Sequence, residues 1–203
     1  YEGCMEALGA VRSYLGDIKQ EYVVLHRGDL CANIDLERLV SRHIESGADV
    51  TAVCTTRAQH RVHHRYIVGA DGIAEQLLCR QTQEGRGVAS LEVYVMRKER
   101  LLELVDWCAE RSRLHFHRDA MTHLLSEGGR VAVYMHDGWS RMIVSVNDYY
   151  EASMDMLDER SRRELFDEVR YITTRERIDA STYYADGAHV RNSLVADGCI
   201  LEG

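Results

Sequence analysis

The first residues placed to do chemistry are Gly28-Asp29-Leu30 and Asn33-Ile34-Asp35, directly after the apolar run Tyr22-Val23-Val24-Leu25. In open α/β sheets, ligands bind beyond the carboxyl ends of the strands. A glycine at such a point lets a backbone or ligand approach closely, and a carboxylate there can hold Mg2+ together with phosphate oxygens. The same residues also read as a helix start, with Asp35 capping and Asp29 making only a turn. A second group is His60, His63 and His64. His60 and His64 have the i, i+4 spacing of a helical zinc site, but Arg57, Arg61 and Arg65 surround them and no acidic third ligand is near in sequence, so a solvated loop is expected. A third group is His115-Phe116-His117-Arg118-Asp119, with His123 beyond it. His-x-His occurs in metal hydrolases; standing alone, it reads as a loop or a helix cap.

Other catalytic templates are absent. There is no glycine-rich phosphate loop, no G-x-S-x-G and no H-E-x-x-H. Lys19 and Lys98 are the only lysines, so chemistry that needs a lysine has few candidates. The six cysteines (Cys4, Cys31, Cys54, Cys79, Cys108 and Cys199) form no C-x-x-C pair, and most lie in apolar runs. They read as small buried thiols in a reducing cytoplasm. Tyr149-Tyr150 and Tyr183-Tyr184 read as core or interface residues, because no basic residues interleave with them to make a nucleic-acid stacking surface.

Elements that would position these groups follow from periodicity. Met5, Leu8, Val11 and Leu15 predict a helix over 4–16. The run over 22–25 reads as a fully buried strand of a parallel sheet. Asp35 caps a predicted helix over 36–46, ended by Gly47, and 49–55 is β-branched and alternating. That order is a βαβ unit. Strands are predicted over 65–68 and 73–78 around Asp71-Gly72, then over 91–96. Helices follow over 99–111 and 119–126. Strands over 131–136 and 142–146 flank Asp137-Gly138, and a helix starting at Asn147 or Asp148 runs through Leu157. From Tyr171 the texture changes: aliphatic and small residues recur at short intervals through Val190, Leu194, Gly198, Ile200 and Gly203. Such stacking needs several coils to bury a core.

With 203 residues, 45% hydrophobic and 29% charged, the chain has the composition of a globular protein with one large domain or slightly more. The net charge of −8 argues against coating nucleic acid. No apolar run is long enough for a membrane-spanning helix. Proline is absent. The chain starts at Tyr1 and ends at Gly203 without a polar tail, so a fragment is expected.

Taken in order, these segments resemble the bacterial ADP-glucose pyrophosphorylases (glucose-1-phosphate adenylyltransferases). Val24, Leu25, Gly28, Asp29 and Asp35 match the family's V-L-x-x-G-D-x-x-x-x-x-D. His43, Gly47, Ala48, Asp49 and Thr51 match H-x-x-x-G-A-D-x-T. Ser90 through Met96 stands where the family has S-M-G-I-Y-V-F, and Asn192-Ser193-Leu194-Val195 with Gly198-Cys199 is close to N-S-L-V-x-x-G-C. The resemblance implies an α/β fold with a nucleotidyltransferase-type (Rossmann-like) mixed sheet over 1–170. That sheet is truncated at its N-terminus and leads through 171–203 into the start of a left-handed parallel β-helix. It also implies the reaction of ATP with glucose 1-phosphate to give ADP-glucose and pyrophosphate, for glycogen synthesis, with Mg2+ between two aspartates.

Carried over residue by residue, that site is eroded. Asp29 falls on the first metal-binding aspartate and is at most a weak, vestigial ligand. The second falls on Met142. The sugar-phosphate motif F-x-E-K-P has no counterpart over 77–88, and D-F-G-K-D reads His115 to Asp119. Gly28, Asp29, Ser90 and Tyr94 match substrate-binding positions, but Glu92 replaces a glycine. The pattern resembles the family's GlgD-type subunit. It implies a non-catalytic or weakly catalytic regulatory subunit that pairs with a catalytic homologous subunit in a heterotetramer, binds ATP and glucose 1-phosphate at most weakly, and holds no cofactor unless activity remains. Two other readings stay open: an active enzyme in which Arg80 or Arg86 replaces the lost lysine, and a phosphosugar-binding module without transferase activity.

Overall fold

The amphipathic pattern over 4–16 predicts one helix. The computed structural model, which describes residues 2–57, 64–79, 86–174 and 178–203, breaks it into α1 (Cys4–Ala10) and α2 (Arg12–Asp17). Val11, at φ −108° and ψ 14°, is the break. The strands that follow are β1 (Tyr22–His26), β2 (Leu30–Ala32), β3 (Val50–Thr55), β4 (His64–Val68), β5 (Ala74–Cys79), β6 (Val88–Arg97) and β7 (Val131–Met135). Chain contacts divide the molecule into two units, Tyr1–Leu30 with Ile34–Asp137, and Cys31–Asn33 with Gly138–Gly203.

The first unit is a mixed sheet in the order β5-β4-β6-β3-β7, with β1 also on β6. β3 and β7 are parallel; β1, β3 and β4 each run antiparallel to β6, and β4 and β5 form a hairpin. This corrects the reading of 22–25. β1 is not a buried parallel strand: it pairs antiparallel with β6, and Val24 is 37% exposed. A run of four apolar residues satisfies either setting, so periodicity alone cannot separate them. The strand–helix–strand order survives, but β6 lies between β1 and β3. β3 is the fully buried strand, covered on both faces. Against the sheet packs α4 (Lys98–Glu110), whose Leu101, Leu104, Val105 and Cys108 join Met5, Phe116, Met121 and Leu124 in one apolar cluster. Phe116 and Met121 belong to a π-helical turn, Phe116–Met121, that leads into α5 (Thr122–Ser126).

The H-x-x-x-G-A-D-x-T segment is built for structure. In α3 (Leu36–Ser46), Asp35 accepts from the Arg38 amide at 2.9 Å, and Gly47 closes the helix at φ 58°, as the capping residues predict. His43 is buried and its Nδ1 lies 2.9 Å from Thr51 Oγ1. Burial pushes the His43 imidazole pKa down. Asp49 accepts from Arg100 Nη2 at 2.6 Å and from the Arg130 amide at 2.9 Å, tying the start of β3 to α4 and to the approach to β7. Burial raises the Asp49 carboxyl, but these two donors outweigh it and hold it below the usual carboxylate range. A depressed folded pKa gives stability that is present above the unfolded pKa and lost as pH falls through the folded one. Asp49→Asn is therefore expected to cost about 1 kcal/mol at pH 7 and progressively less at an acid pH below the unfolded carboxylate range. Urea unfolding at the two pH values checks this; an equal loss at both would refute it.

In the second unit, β2 pairs with β8 (Ser140–Met142). The hairpin expected around Asp137-Gly138 does not form, because β8 finds a partner distant in sequence. α6 (Val146–Asp155) starts just before the expected Asn147 or Asp148, ends short of Leu157, and is capped by Ser145. Ser145 Oγ accepts from the Asp148 amide at 3.2 Å, and Asp148 accepts in return from the Val144 amide at 3.1 Å. With α7 (Glu159–Leu165), this region buries Trp139, Ala152 and Leu165, and Asn33 Nδ2 donates to the carbonyls of Leu165 and Arg170 at 2.8 and 2.7 Å.

Among the described residues of 171–203, the regular structure is β9 (Tyr183–Tyr184) parallel to β10 (Ile200–Leu201). This two-residue ladder does not show the expected β-helix. Tyr149, Tyr150, Tyr183 and Tyr184 are exposed, so of the expected core or interface settings the core one is excluded. All six cysteines are free, but Cys54 and Cys108 alone are fully buried and Cys4 is exposed. Among the described residues no helix is long and apolar enough to cross a membrane.

Candidate functional site

A long strand with a divided edge creates the site. One edge of β6 runs along β3, while the other is shared: β4 takes Val88 and Ala89, and β1 takes Val93 through Arg97. Ser90, Leu91 and Glu92 fall in the gap. The β3 register also slips there, from Val53 opposite Val93 to Cys54 opposite Ser90. This is a β-bulge, a device that re-aims side chains beside functional sites. At its centre Glu92 has φ 56°, in the left-handed region.

That geometry turns a carboxylate inward. Glu92 is 8% exposed. Its Oε2 accepts from Arg27 Nη1 at 2.7 Å, and its Oε1 lies 2.9 Å from His64 Nδ1. Arg27 also grips Asp29 with two bonds, Nε to Oδ1 at 2.7 Å and Nη2 to Oδ2 at 2.5 Å. Burial pushes the Glu92 carboxyl up, but His64, His117 and Arg27 together pull it down to about 2, so it is ionised at neutral pH. The hydrogen bonds from Arg27 lower Asp29 as well.

The π-helical turn brings His117 to the same place. Its ring stacks on His64 with centroids 3.6 Å apart, and its Nε2 lies 2.6 Å from the Tyr94 hydroxyl. That hydroxyl is 2.9 Å from Ser90 Oγ, which also accepts from the Glu92 amide at 3.1 Å. Asp119 holds the turn, accepting from the amides of Leu114 and His115 at 3.1 and 2.9 Å. A cavity of about 550 Å³ opens beside the network, lined by Cys4, Leu25, Arg27, Glu92, Tyr94 and His117 among others.

The structure thus unites Asp29, Ser90 and Tyr94 from the predicted site residues, with Gly28 beside Asp29. A Cβ at Gly28 would meet nothing within 4 Å, so the fold does not demand glycine there. Met142, in the second unit, is buried in β8. One member of each histidine group joins the site, against the expectation that both groups are loops or caps. His64 opens β4 and so cannot pair with His60 on a helix; His60 and His63 lie outside the described residues, as do Arg80 and part of the span where F-x-E-K-P was sought. Sequence reasoning missed Arg27 and the convergence of the two histidines. The available signal was Glu92 itself, since a carboxylate in a buried strand needs a cationic partner.

This network meets an independent likeness. Along its full length, the chain is similar to glucose-1-phosphate adenylyltransferases. It is 27% identical to the one from Halalkalibacterium halodurans over 210 residues, covering 100% of this chain and 54% of that protein. It is 26% identical to the one from Geobacillus stearothermophilus over 207 residues, and 23% identical to the one from Fusobacterium nucleatum over 207 residues, each again covering 100% of this chain and 54% of the relative. The chain spans about half the length of these curated relatives. No family model matches it.

The Mg2+ implied by the resemblance to adenylyltransferases does not fit the residues present. Magnesium demands octahedral oxygen ligands. Both Asp29 oxygens are engaged by the Arg27 guanidinium, which competes directly with any hard cation for them.

Proposed function

We propose that this chain is part of a glucose-1-phosphate adenylyltransferase homologue that has lost most or all of its catalytic power and serves as a regulatory, GlgD-type partner of a catalytic subunit. The single observation carrying this reading is the Arg27 clamp: one guanidinium neutralises Asp29 and is anchored by Glu92, in the place where the resemblance expects a free aspartate and a glycine. Met142 at the second aspartate position supports the same reading. In this proposal residues 1–170 are the partial nucleotidyltransferase domain and 171–203 begin a left-handed β-helix.

Losing one preorganised charge partner typically lowers turnover by about 10²–10³, and two coupled losses reach roughly 10⁴. The full-length protein alone is therefore expected to form ADP-glucose from ATP and glucose 1-phosphate at least ~10⁴-fold more slowly than a catalytic homologue. Met142→Asp is expected to restore less than ~10-fold, because Arg27 still occupies Asp29. Mixing with the catalytic homologue is expected to give a co-purifying complex whose response to effectors differs from that of the homologue alone. Turnover within ~10-fold of the homologue would overturn the impaired-site reading. Failure to form a complex would overturn the regulatory one.

A further inference from the structure

We propose that His64, Glu92 and His117 form a binding site for a divalent transition-metal ion of the zinc class. This goes beyond the adenylyltransferase reading and does not rest on it. One donor atom from each of the three side chains lies within 4.8 Å of the other two. Zinc bonds of about 2.0–2.2 Å set tetrahedral ligands roughly 3.4 Å apart, so the three donors draw together as the ion enters. Two imidazoles and a carboxylate with a fourth position open is the donor set of catalytic zinc sites. Imidazole favours zinc, nickel, copper and iron, and does not favour magnesium.

The groups around the three ligands orient them as outer groups do in metal sites. His117 Nε2 lies 2.6 Å from the Tyr94 hydroxyl, which Ser90 holds in turn, so this imidazole is oriented by a fixed neighbour. Glu92 Oε2 is held by Arg27, which leaves Oε1, the oxygen facing His64, as the metal ligand. The nearby guanidinium does not forbid a cation, because Asp29 binds it with two hydrogen bonds. The formal charge over Arg27, Asp29 and Glu92 is then negative. The left-handed backbone at Glu92 is a local strain of the kind that functional sites retain. His64 and His117 stack with an interplanar angle of 13°. Lone pairs of parallel rings do not converge, so one ring turns about its χ2 as the ion enters. Glu92 and His117 also line the cavity, so the fourth position opens on it and takes water or an anionic oxygen.

The test uses tag-free full-length protein stripped with a chelator. It is titrated with Zn2+ and with Co2+ by calorimetry and absorption spectroscopy, with Mg2+ as a competitor. One equivalent of zinc is expected, with cobalt d–d bands, no thiolate charge-transfer band and no competition from Mg2+. His64→Gln and His117→Gln are each expected to weaken zinc binding by about 100-fold. Absence of zinc binding, binding that both variants retain, or a thiolate band would overturn the proposal. If a variant fails to fold, the imidazole NMR signals of the unaltered protein decide: zinc must move those of His64 and His117, and unmoved signals refute the site. Catalytic turnover plays no part in these readouts, so the metal proposal and the function proposal fail separately.

Discussion

Glu92→Ala is expected to destabilise the protein by about 3 kcal/mol, and Glu92→Gly by about 1 kcal/mol less. Both remove a buried carboxylate that Arg27 and His64 contact at 2.7 and 2.9 Å. Breaking a buried pair leaves the partner charge desolvated, which costs about 3–5 kcal/mol. Asp29 remains on Arg27 and softens the loss toward the low end. The two variants differ in the backbone. At φ 56°, an alanine Cβ crowds its carbonyl as glutamate does, whereas glycine occupies that region freely. In an ordinary strand glycine is the less stable of the two by roughly 0.5–1 kcal/mol. The inverted order is therefore specific to this bulge, and urea denaturation of the two variants reads it directly. Alanine equal to or better than glycine would show that Glu92 does not hold a left-handed backbone.

Gly87→Ala is expected to cost about 3–5 kcal/mol, while Gly72→Ala costs about 1 kcal/mol. Both glycines have positive φ, 75° and 79°. Their surroundings differ. A Cβ at Gly87 would sit 2.4 Å from the Tyr66 carbonyl oxygen, but one at Gly72 meets nothing within 4 Å. Gly87 immediately precedes Val88, which pairs with Tyr66 where β4 meets β6, and Tyr66 is fully buried. Relieving the clash means parting those strands, which adds lost backbone hydrogen bonds to the torsional cost. For a chain of this size, about 4 kcal/mol lowers the melting temperature by roughly 8–16 °C. Thermal unfolding of the pair checks it; equal losses would show that the β4–β6 junction tolerates a methyl group at this point. The junction matters because it closes one end of the gap that holds Ser90 and Glu92.

Short-range chemistry fixes several elements. Asp35 and Gly47 bound α3 in the way their chemistry dictates, and Asp71-Gly72 makes the β4–β5 turn. The structure gives the H-x-x-x-G-A-D-x-T segment a structural role, a buried His43–Thr51 bond and the Asp49 clamp on Arg100 and Arg130. Pairing with distant partners is not set locally. The apolar run over 22–25 fits a parallel core strand but is antiparallel to β6, and the strand after Gly138 pairs with β2 rather than with β7.

The amino-acid sequence by itself determined the α/β class, the capped helix, the hairpin and the likeness to adenylyltransferases, because each of these is set by residue type and short-range spacing. Tertiary structure alone decided that Arg27 binds both oxygens of Asp29, and that two histidines from separate segments meet one glutamate on a bulged strand. Those contacts join residues up to 65 positions apart for Arg27 and Glu92. The split edge of β6 and the left-handed turn at Glu92 bring them together, and neither feature leaves a periodic trace in the chain.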